Sequence, residues 1–189
     1  MRDTSELLSR ADLDFVLHDW LRVEDLTDRP RFAEHSRSTF DAILDVCADL
    51  ARDRFAPHNR RNDTEEPELV DGRVRLNPDV RPALDALAET GLLSATADHE
   101  LGGLQLPRVV HLASAAWFAA ANVSTYGYAM LTVANAHLIC AHGSADQVTR
   151  FVLPMFEGRF HGTMCLSEPQ AGSSLADTMT RAHLSDDGT

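Results

Sequence analysis

Apolar residues recur at three- and four-residue intervals through most of this chain, and the pattern changes near residue 158. Leu13, Val16, Leu17, Trp20 and Leu21 keep the spacing of one helix face and predict an amphipathic helix ending near Pro30. Phe40, Ile43, Leu44, Cys47, Leu50 and Ala51 repeat the pattern. Ser38 is a candidate N-cap for this second helix, with Asp41 three positions on. Pro57 is expected to stop it, because proline disfavours helical backbone in the preceding residue. Residues 58–77 are rich in Arg, Asp, Glu and Asn and read as an exposed connection, with the acidic run Asp63 to Glu68 a solvated loop.

Asn77-Pro78-Asp79 reads as the N-cap and first positions of the next helix, which Gly91 closes. Leu101-Gly102-Gly103-Leu104 is expected to be a flexible loop, and Pro107 opens the helix after it. Two apolar helices are predicted over residues 108–121 and 124–141, then a short helix capped by Ser144 and Gln147 and stopped by Gly158. Beyond it, Phe160 to Leu166 favours extended structure, and Asp177 to Leu184 alternates as a half-exposed strand would. The predicted fold is mainly α. An extension helix occupies 1–30, a helical domain 31–158, and residues 159–189 start a β domain that these residues do not complete. Two strands alone are marginal, so dimerisation, aggregation or chaperone dependence is expected of the isolated chain.

Composition narrows the function. A formal net charge of −12 argues against a nucleic-acid surface, which needs clustered cations. All 17 basic residues are Arg, which excludes a Schiff-base or P-loop lysine. Cys47, Cys140 and Cys165 are odd in number and far apart, reading as reduced thiols of a cytoplasmic protein. The polar N-terminal stretch does not read as a secretory signal, and no run approaches a membrane span. His137 and His142 do not share a helix face, so no metal site is expected. Cys165 is expected to be a small buried residue.

The strongest chemical signal is Met164-Cys165-Leu166-Ser167-Glu168-Pro169-Gln170-Ala171-Gly172-Ser173-Ser174. An apolar run breaks at a turn set by Pro169 and Gly172, with hydroxyls on either side. Backbone N–H groups exposed at such a turn can orient a polar, planar ligand. From the residues alone, an ordinary corner whose serines bond their own backbone is the stronger reading.

This stretch resembles the flavin-contacting motif of acyl-CoA dehydrogenases, with its Thr-Glu-Pro-x-Ala-Gly-Ser-Asp core. The resemblance extends to Arg54-Phe55-Ala56-Pro57, Glu89-Thr90-Gly91-Leu92, Leu101-Gly102-Gly103-Leu104 and His142-Gly143-Ser144 through Pro154 and Gly158. The helix around Phe15-Val16-Leu17 is similar to a subgroup that includes 3-methylmercaptopropionyl-CoA dehydrogenase.

The resemblance implies the helical N-terminal domain of an enzyme that dehydrogenates acyl-CoA thioesters. It implies FAD contacts from Met164, Cys165, Leu166, Ser167, Gly172 and Ser173, and acyl-CoA contacts from Ser173, Tyr128, Met130 and Leu131. Tyr126 is a further lining candidate; core packing is the alternative for this whole helix. In the family a C-terminal-domain Glu removes the α-proton, so no catalytic residue is assigned here, Glu168 included. Electron transfer flavoprotein is implied as acceptor of a complete enzyme, with a C-terminal half or a homo-oligomer as other partners. Ser174 stands where the family has Asp, which lends weight to a second reading, a helical interaction module without catalysis.

Overall fold

The computed structural model describes residues 7–186; the N-terminal stretch Met1 to Glu6 and the final three residues lie outside them. Helix α1 runs Arg10–Asp14, capped by Ser9, and widens into a π-helical turn over Phe15–Trp20. The wider turn breaks the 3.6-residue face, so Leu17 is buried while Trp20 is 70% exposed and Leu21 points outward as well. A 3-10 stretch, Val23–Asp28, leads towards α2, Arg37–Leu50. Its N-cap is Ser36, not Ser38. Ser36 and Thr39 exchange side-chain and backbone bonds in a capping box, and Ser38 sits inside the helix.

Pro57 does not end the helical path. Residues Ala51–Phe55 form a π-helical turn, Ala56–His58 a 3-10 turn, and α3 continues over Asn59–Thr64. Changing the bonding register accommodates a residue that has no N–H. The same device recurs before Pro154, where α6 (Ala145–Gln147) passes through the π-turn Val148–Val152 into α7 (Leu153–Phe156).

The connection after α3 holds a hairpin that hydrophobic periodicity did not reveal. Strands β1 (Glu68–Val70) and β2 (Arg73–Arg75) pair antiparallel, with Leu69 opposite Val74. Asp71 and Gly72 both have positive φ, as a two-residue turn of matching twist requires. Helix α4 (Val80–Glu89) follows; Asn77 Oδ1 accepts from the Asp79 N–H at 3.0 Å, so Asn77 shapes the turn before the helix rather than capping it.

Gly103 decides the next loop. A Cβ there would lie 2.0 Å from the Ala97 carbonyl oxygen, and three backbone bonds tie Leu104, Gln105 and Leu106 to Ala95 and Ala97. This loop is pinned, contrary to the flexibility its glycines suggest. Helix α5 then spans Arg108–His142 with one break at Asn122 (φ −165°, ψ 87°), so the two predicted helices are its halves.

The core gathers Phe40, Leu44 and Phe55 from the α2 path, Leu84 and Leu87 from α4, and Trp117 and Phe118 from α5. Phe118 contacts Phe55 and stacks on Tyr126, at centroid distances of 4.9 and 5.5 Å. Each such side chain contributes about 1.5–3 kcal/mol on burial, which outweighs anything the exposed hairpin adds. A smaller cluster of Ala136, Val152, Met155 and Phe156 seats α7 on the second half of α5. No helix among the described residues is long and apolar enough to cross a membrane.

After Gly158 the expected strands do not form. Residues 160–184 contain one isolated bridge, Glu168 with Ala171, and a 3-10 turn at Leu175–Asp177. Strand propensity cannot act without a neighbouring edge, and the described residues supply none.

Candidate functional site

The break in α5 organises the site. Asn122 is buried; its Oδ1 accepts from the Thr125 N–H at 3.0 Å and thereby caps the second half of the helix. Its Nδ2 donates to the Phe55 carbonyl at 3.2 Å. Asn62 donates to Asn122 Oδ1 and Thr125 Oγ1, and His58 Nε2 lies 2.8 Å from Thr125 Oγ1. Burial pushes the His58 pKa down, so the neutral ring accepts from the Thr125 hydroxyl. The network joins α3 to the kink and sets the direction of the half-helix that carries Tyr128, Met130 and Leu131.

That half-helix holds the segment leading into the turn motif. Thr132 Oγ1 donates to the Tyr128 carbonyl at 2.6 Å and accepts from the Gly162 N–H at 3.0 Å, while Asn135 Nδ2 donates to the Thr163 carbonyl at 3.1 Å. Gly162 is required by the approach, since a Cβ would meet Asn135 Cβ at 2.7 Å. Residues 160–164 therefore cross α5 within one turn of Tyr128 and Leu131, and the two groups of predicted contact residues come together.

Met164, Cys165, Leu166 and Ser167 continue from this strap and are all exposed, as is Ser173; nothing lies within 4 Å of a Cβ built on Gly172. Cys165 is not the buried residue expected, because its stretch is covered by no other described element; Thr163 Oγ1 lies 3.6 Å from its sulfur. The backbone N–H groups of residues 164–167 bond no described residue, which leaves a row of donors available to a planar acceptor.

The corner is closed by Glu168 rather than by its serines. Its backbone exchanges bonds with Ala171 at 2.8 and 3.1 Å around Pro169-Gln170. Its carboxylate accepts from the Thr180 hydroxyl at 2.5 Å, from the Met179 and Thr180 N–H groups at 2.9 Å each, and from the Gln170 amide at 2.5 Å. The hydroxyl bond, then the two N–H bonds, hold its pKa down at about 2. Such a carboxylate stays ionised and has little capacity to take up a proton at neutral pH, in keeping with a positioning role. The hydroxyls of Ser167, Ser173 and Ser174 bond no described residue, so the self-bonded corner is not what forms. Nothing in the sequence pattern pointed to the pairing of Glu168 with Thr180, 12 residues away.

The acyl-pocket candidates divide. Tyr128 and Leu131 are partly buried near the strap, and Met130 is half exposed on another face of α5. Tyr126 packs on Phe118 and belongs to the core, where burial pushes its hydroxyl up to about 12. Where α1 and its π-turn meet α2, ligand atoms of Asp14, His18 and Asp41 lie within 4.8 Å of one another, a grouping not anticipated. Arg10 pairs with Asp14 and Asp41 at 2.7 and 3.0 Å, and the His18 ring meets Glu24 and Asp41 at 2.5 and 3.3 Å. Arg10 already bridges the two aspartates, and the cluster serves to anchor α1 on α2.

Residues 38–159 match the family model described as acyl-CoA dehydrogenase, N-terminal domain, a span that reaches from α2 to α7. The chain belongs to the acyl-CoA dehydrogenase family. It is similar to the 3-methylmercaptopropionyl-CoA dehydrogenase of Ruegeria pomeroyi, 32% identical over 92% of this chain and 29% of that protein. It is also similar to two butyryl-CoA dehydrogenases of Syntrophomonas wolfei, 26% and 24% identical over 98% of this chain and 31% of each. The chain thus spans about a third of the length of these acyl-CoA dehydrogenases. The helical fold, with a single two-stranded sheet among the described residues, is that of the family's N-terminal domain.

Proposed function

We propose that this chain forms the N-terminal part of an FAD-dependent acyl-CoA dehydrogenase acting on the α,β-bond of acyl-CoA thioesters. The observation that carries the reading is the strap over α5, in which Gly162 and Thr163 bond Thr132 and Asn135 and deliver the motif beside Tyr128 and Leu131. In this reading residues 31–158 are the helical domain behind an extension at 1–30, and residues 159–189 open a β domain. That assignment accounts for the unpaired stretch after Gly158, whose partners would be further strands.

The residues fit a flavin through the chemistry of their donors: unpaired N–H groups at Met164, Cys165, Leu166 and Ser167, and free hydroxyls at Ser167 and Ser173 beside an open Gly172. Bound FAD would supply hydride acceptance. The chain's own work is to orient the acyl thioester along Tyr128 and Leu131, with Ser173 at the junction, and to hold the corner rigid through Glu168. The base would come from a C-terminal domain, and electron transfer flavoprotein would take the electrons. The 32% identity favours the 3-methylmercaptopropionyl-CoA dehydrogenase-like subgroup.

A second reading, a non-catalytic interaction module, is favoured by Ser174, whose hydroxyl bonds no described residue where the family carries an acid. The chain alone should show no turnover with butyryl-CoA and an artificial acceptor. Supplied with the remaining two domains as a second polypeptide, it should retain FAD, and acyl-CoA should bleach the flavin. Turnover by the isolated chain, or a complex that stays colourless, would count against the first reading.

A further inference from the structure

Beside the start of the second half of α5 lies a cavity of about 220 Å³ walled by Asn62, Glu65, Leu76, Asn77, Ser124 and Tyr128. Asn62 and Glu65 have partners, but three donors on this wall do not. Asn77 Nδ2 is shut off from solvent and bonds no described residue. The amide cannot reverse, because Asn77 Oδ1 already accepts from the Asp79 N–H, and a flip would set N–H against N–H. The Ser124 and Tyr128 hydroxyls bond no described residue either. Three donors with no protein acceptor therefore border one cavity; Ser124 is exposed and Tyr128 partly buried, while the Asn77 amide is shut away from water and is costly until an acceptor arrives. The space amounts to several water volumes at about 30 Å³ each, enough for a group of a few heavy atoms.

The cavity's place on α5 says what that group belongs to. Ser124, Tyr128, Leu131 and Asn135 follow four-, three- and four-residue steps and form one ridge of the helix. The strap crosses this ridge at Thr132 and Asn135. From Thr132 back to Tyr128 is about 6 Å along the axis, and to Ser124 about 12 Å, at roughly 1.5 Å per residue. The cavity is thus the far end of the ridge whose near end carries the motif.

The geometry points to a pocket for the terminus of the acyl group, one that takes an uncharged hydrogen-bond acceptor such as a hydroxyl or an amide carbonyl. This deepens the acyl-CoA reading and rests on it. A methyl terminus leaves Asn77 unpaired. A carboxylate terminus meets Glu65, which borders the cavity and is paired with Arg61 at 2.8 Å.

The first test titrates the ¹⁵N-labelled chain with butyramide and with butyrate. Butyramide should move the Asn77 side-chain, Ser124 and Tyr128 signals and bind at least about tenfold tighter than butyrate. Tyr128→Phe and Asn77→Asp, the latter keeping the acceptor for Asp79, should each weaken butyramide about 3–10-fold. Equal binding of the two probes, no shift at these residues, or variants that bind as the parent does would overturn the pocket. The second test compares 6-hydroxyhexanoyl-CoA with hexanoyl-CoA in the flavin-loaded complex. A kcat/KM ratio above one that falls towards one in Tyr128→Phe supports the assignment. Hexanoyl-CoA oxidised equally well by both proteins, with no preference, overturns the assignment and leaves the acyl-CoA reading standing. Oxidation of neither ester sinks that reading and the pocket's role with it.

Discussion

Replacing Asn122 by alanine removes its two shorter bonds, and a third, longer one from Asn62, at a site with 1% exposure. The first is the cap on the Thr125 N–H, worth about 1 kcal/mol. The second is the donor to the Phe55 carbonyl, which sits where the π-turn passes into the 3-10 turn and where the Asn59 N–H has turned to Ala56. Phe55 is buried, and its carbonyl keeps the His58 N–H of the 3-10 turn, so losing the side-chain donor costs about 0.5–1.5 kcal/mol. Asn62 still reaches Thr125 Oγ1 and limits the damage. The expected loss is about 1.5–2.5 kcal/mol, or a Tm lower by roughly 3–10 °C for a domain of this size. Urea unfolding followed by circular dichroism measures it directly. Asn135→Ala is the comparison, since it removes one half-exposed bond to Thr163 and should cost less than about 1 kcal/mol. An Asn122→Ala protein within about 0.5 kcal/mol of the parent would show that packing of Phe118 and Tyr126, not the asparagine, holds the kink.

Gly162→Ala places a methyl 2.7 Å from Asn135 Cβ and 3.3 Å from the Thr132 Cα, so it should lift the strap from α5 while sparing the helices. The readout is faster amide exchange at residue 162 with an unchanged helical spectrum; retained protection there would show that the crossing tolerates the methyl. Glu168 has its pKa lowered from 4.5 to about 2, so its stabilising bonds are fully present above pH 4.5 and are lost as pH falls through 2. Hydrogen exchange at Met179 and Thr180 should quicken over that interval, and Glu168→Gln should remove the pH dependence. Cys165 is exposed while Cys47 is buried, with its pKa pushed up to about 11 by burial, so a thiol reagent at about pH 8 should label Cys165 well before Cys47. Equal rates would contradict the packing of α2.

Much of the helical architecture was legible because its cause is local. Phe40, Leu44 and Cys47 repeat at helix spacing, and the Ser144–Gln147 capping box, the stop at Gly158 and the pause between residues 121 and 124 all stand where the pattern places them. The hairpin was legible in principle from Asp71-Gly72 between Leu69-Val70 and Val74, but the surrounding charge masked it. The π-turns before Pro57 and Pro154 were not legible, since the proline rule tells only that the ordinary bond is lost and not which register replaces it. The candidate site was half visible. The motif and Tyr128 were identifiable from the chain, whereas their meeting through Thr132 and Gly162 spans 30 residues.

By itself the sequence determined which segments are helical, several of their boundaries, and to which family the motif from Met164 to Ser174 is similar. These follow from side-chain periodicity, caps and backbone preferences, which act over a few neighbouring residues. The tertiary structure alone decided that Asn122 joins α5 to the α2 path, that Gly162 is needed for a close crossing, and that Glu168 ties its turn to Thr180. It also left Asn77, Ser124 and Tyr128 around one cavity with donors unspent. Those outcomes depend on which polar groups burial brings within hydrogen-bond reach, and a one-dimensional pattern carries no record of that distance.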